Sequence, residues 1–392
     1  LQKFTRILLG TNNIDHHRSA DFSGLVTALT RAKAVSRHAT LDNLTQASSI
    51  LLIGGDPTEQ HPLVAYRIRE ATRLRKTRLY LINSKEIKLR RQATLTLKVQ
   101  PGQEGSLVQD LFSGNIPNEI HTEEKKAEIC RFNESLSKEN STIILFGDGI
   151  KGRDVESLVH WGLDLPGQTK FMALADAANS RGAADMGLLP NTLPGYQSLN
   201  NVIARRKYEN LWKGKIPPQE GLDLQAITDA ISGGKLKALL VFGANPVRSL
   251  GLKPAILAKL EMLVAADLFR TETVEAASVV FPTASHAEKE GTVTNTGGQI
   301  QRMTEALKKP GVKTDLEIIN SLARLISQKW EISSPTKVLQ EIVENIPGYS
   351  ISLPNLLLGN ALPTQPSGMV PSVTHPDLIF SSHDTLFTSG TL

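Results

Sequence analysis

Short apolar runs alternate along this chain with small-residue turns and longer amphipathic stretches. Ser49–Ile53 is an unbroken apolar run that reads as a buried strand. Gly54-Gly55-Asp56-Pro57 follows, then Pro62 and a helical pattern. Leu236–Phe242 repeats the arrangement, with Gly243-Ala244-Asn245-Pro246, Pro254 and a shorter helical pattern. Each unit continues into a second strand, Arg78–Asn83 or Met262–Ala266, and a third, Ala93–Val99 or Ala277–Phe281. Glycine lets the backbone approach a ligand, and proline opens a helix where its missing N–H costs little. The free N–H groups of such a first turn favour anions. Strands alternating with helices predict an α/β fold of parallel sheets covered on both faces, with ligands beyond the carboxyl ends of the strands.

A third turn lies between these units. The strand Thr142–Phe146 runs into Gly147-Asp148-Gly149-Ile150-Lys151-Gly152, a G-x-G-x-x-G pattern. Asp154–Trp161 fits its helix, Lys170–Ala175 the next strand, and Asp176 a ribose acceptor. NAD binding at Gly147–Gly152 is therefore one functional expectation, set against a plain strand-to-helix connection.

Composition narrows the field. The 392 residues suffice for two or three domains, and 40% apolar with 21% charged residues is a globular balance. No apolar stretch approaches the length of a membrane span. The single cysteine, Cys130, excludes an internal disulfide, an all-cysteine zinc site and a thiolate-held iron–sulfur cluster within these residues. The first residue is Leu1, and further residues are expected before it. Net charge is +5, but ten basic residues between Arg67 and Arg91, against Glu70 and Glu86, give that window +8. An anion, nucleotide or nucleic-acid surface is one reading. The absence of interleaved aromatic residues favours a solvated helix whose basic end complements its dipole, with Leu63, Tyr66, Ile68, Ala71 and Leu74 as its apolar stripe.

Several segments, in order, resemble the molybdopterin oxidoreductases. They are Gly10-Thr11-Asn12-Asn13-Ile14-Asp15-His16, the turn from Gly54 to Pro62, Ala178–Tyr196, Gly243–Pro246, Thr271-Glu272-Thr273, Val279–Ser285 and Glu288–Thr296. Within that superfamily the chain is most similar to the large peripheral subunit (NuoG) of bacterial respiratory NADH:quinone oxidoreductase, complex I. That resemblance implies two related doubly wound (Rossmann-like) lobes acting as a scaffold in electron transfer from NADH to quinone. It further implies iron–sulfur clusters in an amino-terminal part lying before these residues, other peripheral-arm subunits as partners, and a peripheral place on the cytoplasmic side of the inner membrane. No cofactor is expected in these residues, no nucleic acid and no direct membrane span. The alternative is a catalytic molybdenum oxidoreductase such as a formate dehydrogenase, holding bis-molybdopterin guanine dinucleotide.

Departures from the catalytic pattern favour the scaffold. Catalytic relatives of the formate dehydrogenase type place Cys or selenocysteine after the Asn-Asn-x-Asp-His run, whereas here it continues His17-Arg18-Ser19-Ala20-Asp21-Phe22. Asp21 falls about where that ligand would stand, and a carboxylate can bind a hard metal. A lone Asp in a loop more commonly caps or turns the chain, and His16 and His17 read as polar packing groups. Asn83 stands where an acid is usual, and Gly297 and Gln299 replace an acid and an arginine. Neither catalytic nor metal-binding residues are expected. Gly54, Gly55, Asn83, Gly243, Asn245, Thr283 and Asn295 are the expected lining of the pterin-type clefts. The expected divisions are an introductory helical segment (1–45), a first lobe (46–140), a second lobe (141–330), and a helix around Ser333–Asn345 with a Pro-rich tail (331–392).

Overall fold

The computed structural model describes residues 1–16, 18–113, 123–308, 310–327, 330, 334–346, 348–349 and 351–357. Its main sheet has five parallel strands: β1 (Ser49–Ile53), β2 (Arg78–Asn83), β3 (Ala93–Lys98), β4 (Ser141–Phe146) and β5 (Gln168–Ala173). Their spatial order is β3-β2-β1-β4-β5. All five residues of β1 are buried, as an apolar run sandwiched between two layers must be. Alternation then sorts the side chains. Leu51, Ile53, Tyr80, Ile82, Ile144 and Phe146 share a core with the helices Phe22–Arg31, Glu123–Leu136 and Arg153–Asp164. Ile50, Leu52, Leu79, Leu81, Ile143 and Leu145 face the opposite core, which includes the helix Pro62–Leu74.

The expected boundary between residues 140 and 141 runs through this sheet. β4 pairs along its length with β1, Ser49 opposite Thr142 and Ile53 opposite Phe146. A strand's partner is chosen by where a free edge lies, and β1 offers that edge once β2 has taken the other. The helix Pro62–Leu74 also differs from its expected stripe. Val64, Ala65, Ile68 and Ala71 are buried, while Leu63, Tyr66 and Leu74 are exposed at 70%, 61% and 74%.

The repeated unit forms its own sheet. After the hairpin strands β6 (Thr192–Leu193) and β7 (Gln197–Ser198) come β8 (Ala238–Phe242), β9 (Met262–Asp267) and β10 (Val279–Pro282). All three run parallel, ordered β10-β9-β8, which matches β3-β2-β1 in the first unit. The duplication read from the sequence is thus a duplication of topology. Here no further strand joins β8 among the described residues. An antiparallel hairpin, β11 (Gly291–Thr294) and β12 (Ile300–Met303), comes next. The later helix begins at Pro335 and ends at Asn345. The Pro-rich segment 363–376 and the residues after it lie outside the described residues. No described helix is long and apolar enough to cross a membrane.

A buried carboxylate gathers separate segments. Asp185 is 1% exposed and accepts the Tyr196 hydroxyl at 2.5 Å and the Tyr349 hydroxyl at 2.7 Å. Arg181 Nε lies 3.7 Å from it, and Tyr349 also meets Thr294 of β11 at 3.2 Å. Burial and the neighbouring carboxylate push both phenols well above their ordinary pKa, so both hydroxyls stay protonated. Asp185→Ala leaves two phenols without their shared acceptor in a dry site and removes the carboxylate that faces Arg181. We expect a loss of about 3–5 kcal/mol, read as a lower urea midpoint with an unchanged slope. A loss under about 1 kcal/mol would show the network to be dispensable.

Candidate functional site: the Asn-Asn-x-Asp-His segment and two strand-end clefts

The segment Thr11–His16 has no regular secondary structure, so its polar groups must find partners elsewhere. Asn12 donates to the carbonyls of Pro217 and Gln219, each at 2.7 Å, and its side-chain oxygen accepts from Arg6. Asn13 accepts the Leu222 amide at 2.8 Å, and Asp15 accepts the Leu224 amide at 3.0 Å. His16 Nδ1 lies 2.8 Å from the Leu188 carbonyl. The packing is tight enough that a Cβ on Gly221 would stand 1.8 Å from the Asn12 carbonyl oxygen. Arg6, fully buried, completes the knot by donating to the carbonyls of Leu189 and Thr192 at 2.7 and 2.9 Å. Burial without a facing carboxylate pulls its pKa down to about 10, which still leaves it charged at neutral pH. Arg6 escaped notice in the sequence, since nothing in a local Ile-Leu context marks an arginine as buried. His17 lies outside the described residues.

Asp21, which falls about where the resemblance places a metal thiolate, is 3% exposed. One oxygen accepts from Gly24 N at 2.7 Å and caps the helix Phe22–Arg31. The other accepts from Gly152 N at 2.9 Å. Desolvation pushes its pKa upward, against the pull of these amides. The adjoining cavity, lined by His16, Arg18, Ser19, Asp21, Phe22, Ser180 and Ala184, has room for about one water molecule. Arg18 lies 3.3 Å from Asp15. Cys130 is exposed on the helix Glu123–Leu136. No group of three or more His, Cys, Asp or Glu that could hold a metal ion occurs among the described residues. Among the described residues, the side chain that falls about where the resemblance places a metal ligand is Asp21, and it accepts from two backbone amides.

The same contact bears on the G-x-G-x-x-G turn. Gly152 is the N-cap of the helix Arg153–Asp164, and its amide points to Asp21 rather than to an open cradle. Asp154 and Glu156 add negative charge to the first turn. An internal carboxylate thus holds the place a phosphate would take, and the added acids repel one. Asp176, the expected ribose acceptor, stands 3.7 Å from His61 Nε2.

The expected cleft residues fall into three groups. Gly54, Gly55 and Asn83 sit together at the carboxyl edge of the main sheet, beside the β1/β4 switch point, where a Cβ on Gly147 would stand 3.8 Å from the Gly55 nitrogen. Gly54, at φ +67°, has open space where a Cβ would stand. Asn83 is consumed locally, donating to the Gly55 carbonyl at 2.7 Å and accepting the Lys85 amide at 2.9 Å. Gly243, Asn245 and Thr283 occupy the matching edge of the small sheet, and Gly243 is likewise open. Asn245 donates to Glu272 at 2.6 Å and accepts from Thr273 at 2.7 Å. Asn295 lies apart, closing the β11–β12 turn through Gln299, while Thr296 donates to the Ala173 carbonyl at the end of β5. The glycines leave room at both edges, whereas the asparagines brace the turns that frame it. Sequence reasoning missed His61, which opens the helix Pro62–Leu74 at the first edge; the Pro after it was the available signal.

These features define an α/β body with two parallel units and an internally satisfied Asn-Asn-x-Asp-His segment. The sequence model of the molybdopterin oxidoreductase family matches residues 1–325, and the chain belongs to that family. Among its relatives it is 30% identical to the F420-dependent formate dehydrogenase 1 subunit alpha of Methanococcus maripaludis, covering 89% of this chain and 58% of that one. It is 28% identical to an NADH-quinone oxidoreductase subunit of Rhizobium meliloti, covering 89% and 44%. The chain therefore spans about half the length of the curated relatives it matches. Among solved structures, acetylene hydratase from Pelobacter acetylenicus aligns with a TM-score of 0.55 at 14% identity, over 88% of this chain and 58% of that chain.

The geometry carries two expected outcomes. Asn12→Ala strips acceptors and donors from Arg6, Pro217 and Gln219 at once. It should cost about 2–4 kcal/mol and speed amide exchange selectively in residues 217–224; uniform or absent acceleration would count against the knot. His61 is nearly buried, and desolvation pulls its pKa down to about 4. The unfolded chain takes up this proton below its ordinary value of about 6.5, while the folded chain does not until about pH 4. This contribution to stability is therefore present above pH 6.5 and is lost as pH falls through that window. His61→Gln should flatten the pH dependence of the melting temperature between about pH 6.5 and 4, and an unchanged slope would exclude the assignment.

Proposed function

We propose that this chain is a scaffold region of a large peripheral subunit of the NADH:quinone oxidoreductase type, supporting electron transfer from NADH to quinone while carrying no redox centre among its own described residues. The observation that carries this reading is Asp21. It replaces the thiolate of the formate dehydrogenase pattern and spends both oxygens on Gly24 and Gly152. The departures at Asn83, Gly297 and Gln299 lend further support, as does the 28% identity to the Rhizobium meliloti subunit. In this reading the iron–sulfur clusters belong to sequence beyond these residues, hydride transfer belongs to another subunit, and other peripheral-arm subunits are the partners. The body then sits peripherally on the cytoplasmic side of the inner membrane, attached through the complex. The role of these residues is mechanical. The Thr11–His16 segment, Arg6 and Asp185 join loops and sheets into one unit against which neighbours are placed.

The second reading is a catalytic molybdenum enzyme, and its support is the 30% identity to a formate dehydrogenase subunit together with the open space at Gly54 and Gly243. Bound dinucleotide would supply the metal's ligands at those edges, but the protein ligand would have to come from a residue other than Asp21. Elemental analysis of the purified full-length protein separates the two. The scaffold reading expects molybdenum and tungsten near background, and about one atom of either per chain would overturn it.

A further inference from the structure

The helix Pro62–Leu74 packs on the sheet through Val64, Ala65, Ile68 and Ala71. Its opposite face carries Leu63, Tyr66 and Leu74, a helical i, i+3, i+11 series exposed at 70%, 61% and 74%. Scattered apolar residues on a surface need no explanation, but three aligned on one helical face beside a strong local charge do. Arg69, Arg73, Arg75 and Lys76 surround this stripe. The 3-10 turn Lys88–Gln92, which touches the helix, adds Lys88, Arg90 and Arg91. Arg67 pairs with Glu70 at 2.9 Å and Arg90 with Glu86. No described ion pair engages Arg69, Arg73, Arg75, Lys76, Lys88 or Arg91. A helix dipole accounts for basic residues at the end of its own helix. It does not account for apolar residues exposed in the first turn, nor for cations on a neighbouring turn.

We propose that this face is a docking surface for a protein partner that presents an apolar spot ringed by Asp and Glu. Leu63, Tyr66 and Leu74 would meet the apolar spot, while the unpaired cations steer and orient the acidic rim. Tyr and Arg are the residue types enriched where binding energy concentrates, and the planar guanidinium pairs bidentately with carboxylates. Four of the six unpaired cations are arginines, which favours a carboxylate-bearing protein over a diffuse anionic surface. Complementary charge of this density acts chiefly on the association rate, so binding weakens with salt. The inference rests on this face alone and does not depend on whether the family's metal is bound.

The test places a photo-crosslinking phenylalanine analogue at Tyr66 in the full-length protein within its native assembly. Mass spectrometry then identifies the attached peptide. The expected product is a crosslink to a different protein chain, at a peptide with net negative charge. Arg69→Glu/Arg73→Glu/Arg75→Glu should abolish that crosslink, while circular dichroism and melting temperature stay unchanged because none of the three residues is buried. Against the crosslinked chain once purified, the triple variant should weaken the dissociation constant by at least about tenfold. A crosslink to a second copy of this chain, to a neutral or basic peptide, or to no protein would overturn the proposal. So would co-sedimentation of the wild-type protein, but not the triple variant, with vesicles of phosphatidylglycerol and phosphatidylcholine, which would make the surface a membrane contact.

Discussion

A carboxylate sealed from water, Asp21, connects the opening helix to the central sheet. It must be hydrogen-bonded or neutral to persist there, and it is satisfied by two backbone amides, one on its own helix and one at Gly152. Much of the surrounding architecture depends on that bridge. It fixes the helix Phe22–Arg31 against Arg153–Asp164, where both contribute to the core over one face of the sheet. It fills the anion position of a glycine turn with an internal anion.

The rest of the chain applies the same economy to larger spans. Arg6 and the Thr11–His16 segment supply hydrogen bonds to loops that have no ladder of their own, around residues 188–192 and 217–224. Asp185 does the same for Tyr196 and Tyr349. Asn83 braces the first glycine turn from the end of β2, whereas Asn245 braces the second from within the turn itself, so the repeated topology is held in two different ways. A segment that resembles a cofactor-proximal motif thus works here as a staple.

Much of this was legible in the residues. Five-residue apolar runs ended by Gly-Gly or Gly-Ala marked β1 and β8, and their followers β2 and β9 were visible for the same reason. The glycine turns were placed correctly at the strand ends because positive φ and open space leave a compositional trace. The division at residue 140 was not legible, since β4 carries no local mark that it inserts beside β1 rather than starting a new sheet. The stripe on the helix Pro62–Leu74 was misdrawn because periodicity admitted more than one face, and contact with the sheet selected Val64 and Ala65 over Leu63 and Tyr66. Of the expected cleft residues, Gly54, Gly55 and Asn83 meet at one sheet edge and Gly243, Asn245 and Thr283 at the other, while Asn295 belongs to a hairpin that its position in the chain did not foretell.

By itself the sequence determined the local states: strands, turns, helix starts, the repeated unit, and the absence of a cysteine in the residues just after Asp15. Each depends on residues a few positions apart, through backbone geometry and hydrophobic period. Tertiary structure alone decided which distant groups satisfy one another. Asp21 reaches Gly152, Arg6 reaches Thr192, and Tyr349 reaches Asp185 across spans of 131, 186 and 164 residues. The physical reason is that a buried polar group must find a partner wherever the packed chain brings one, and no local pattern records which one that is.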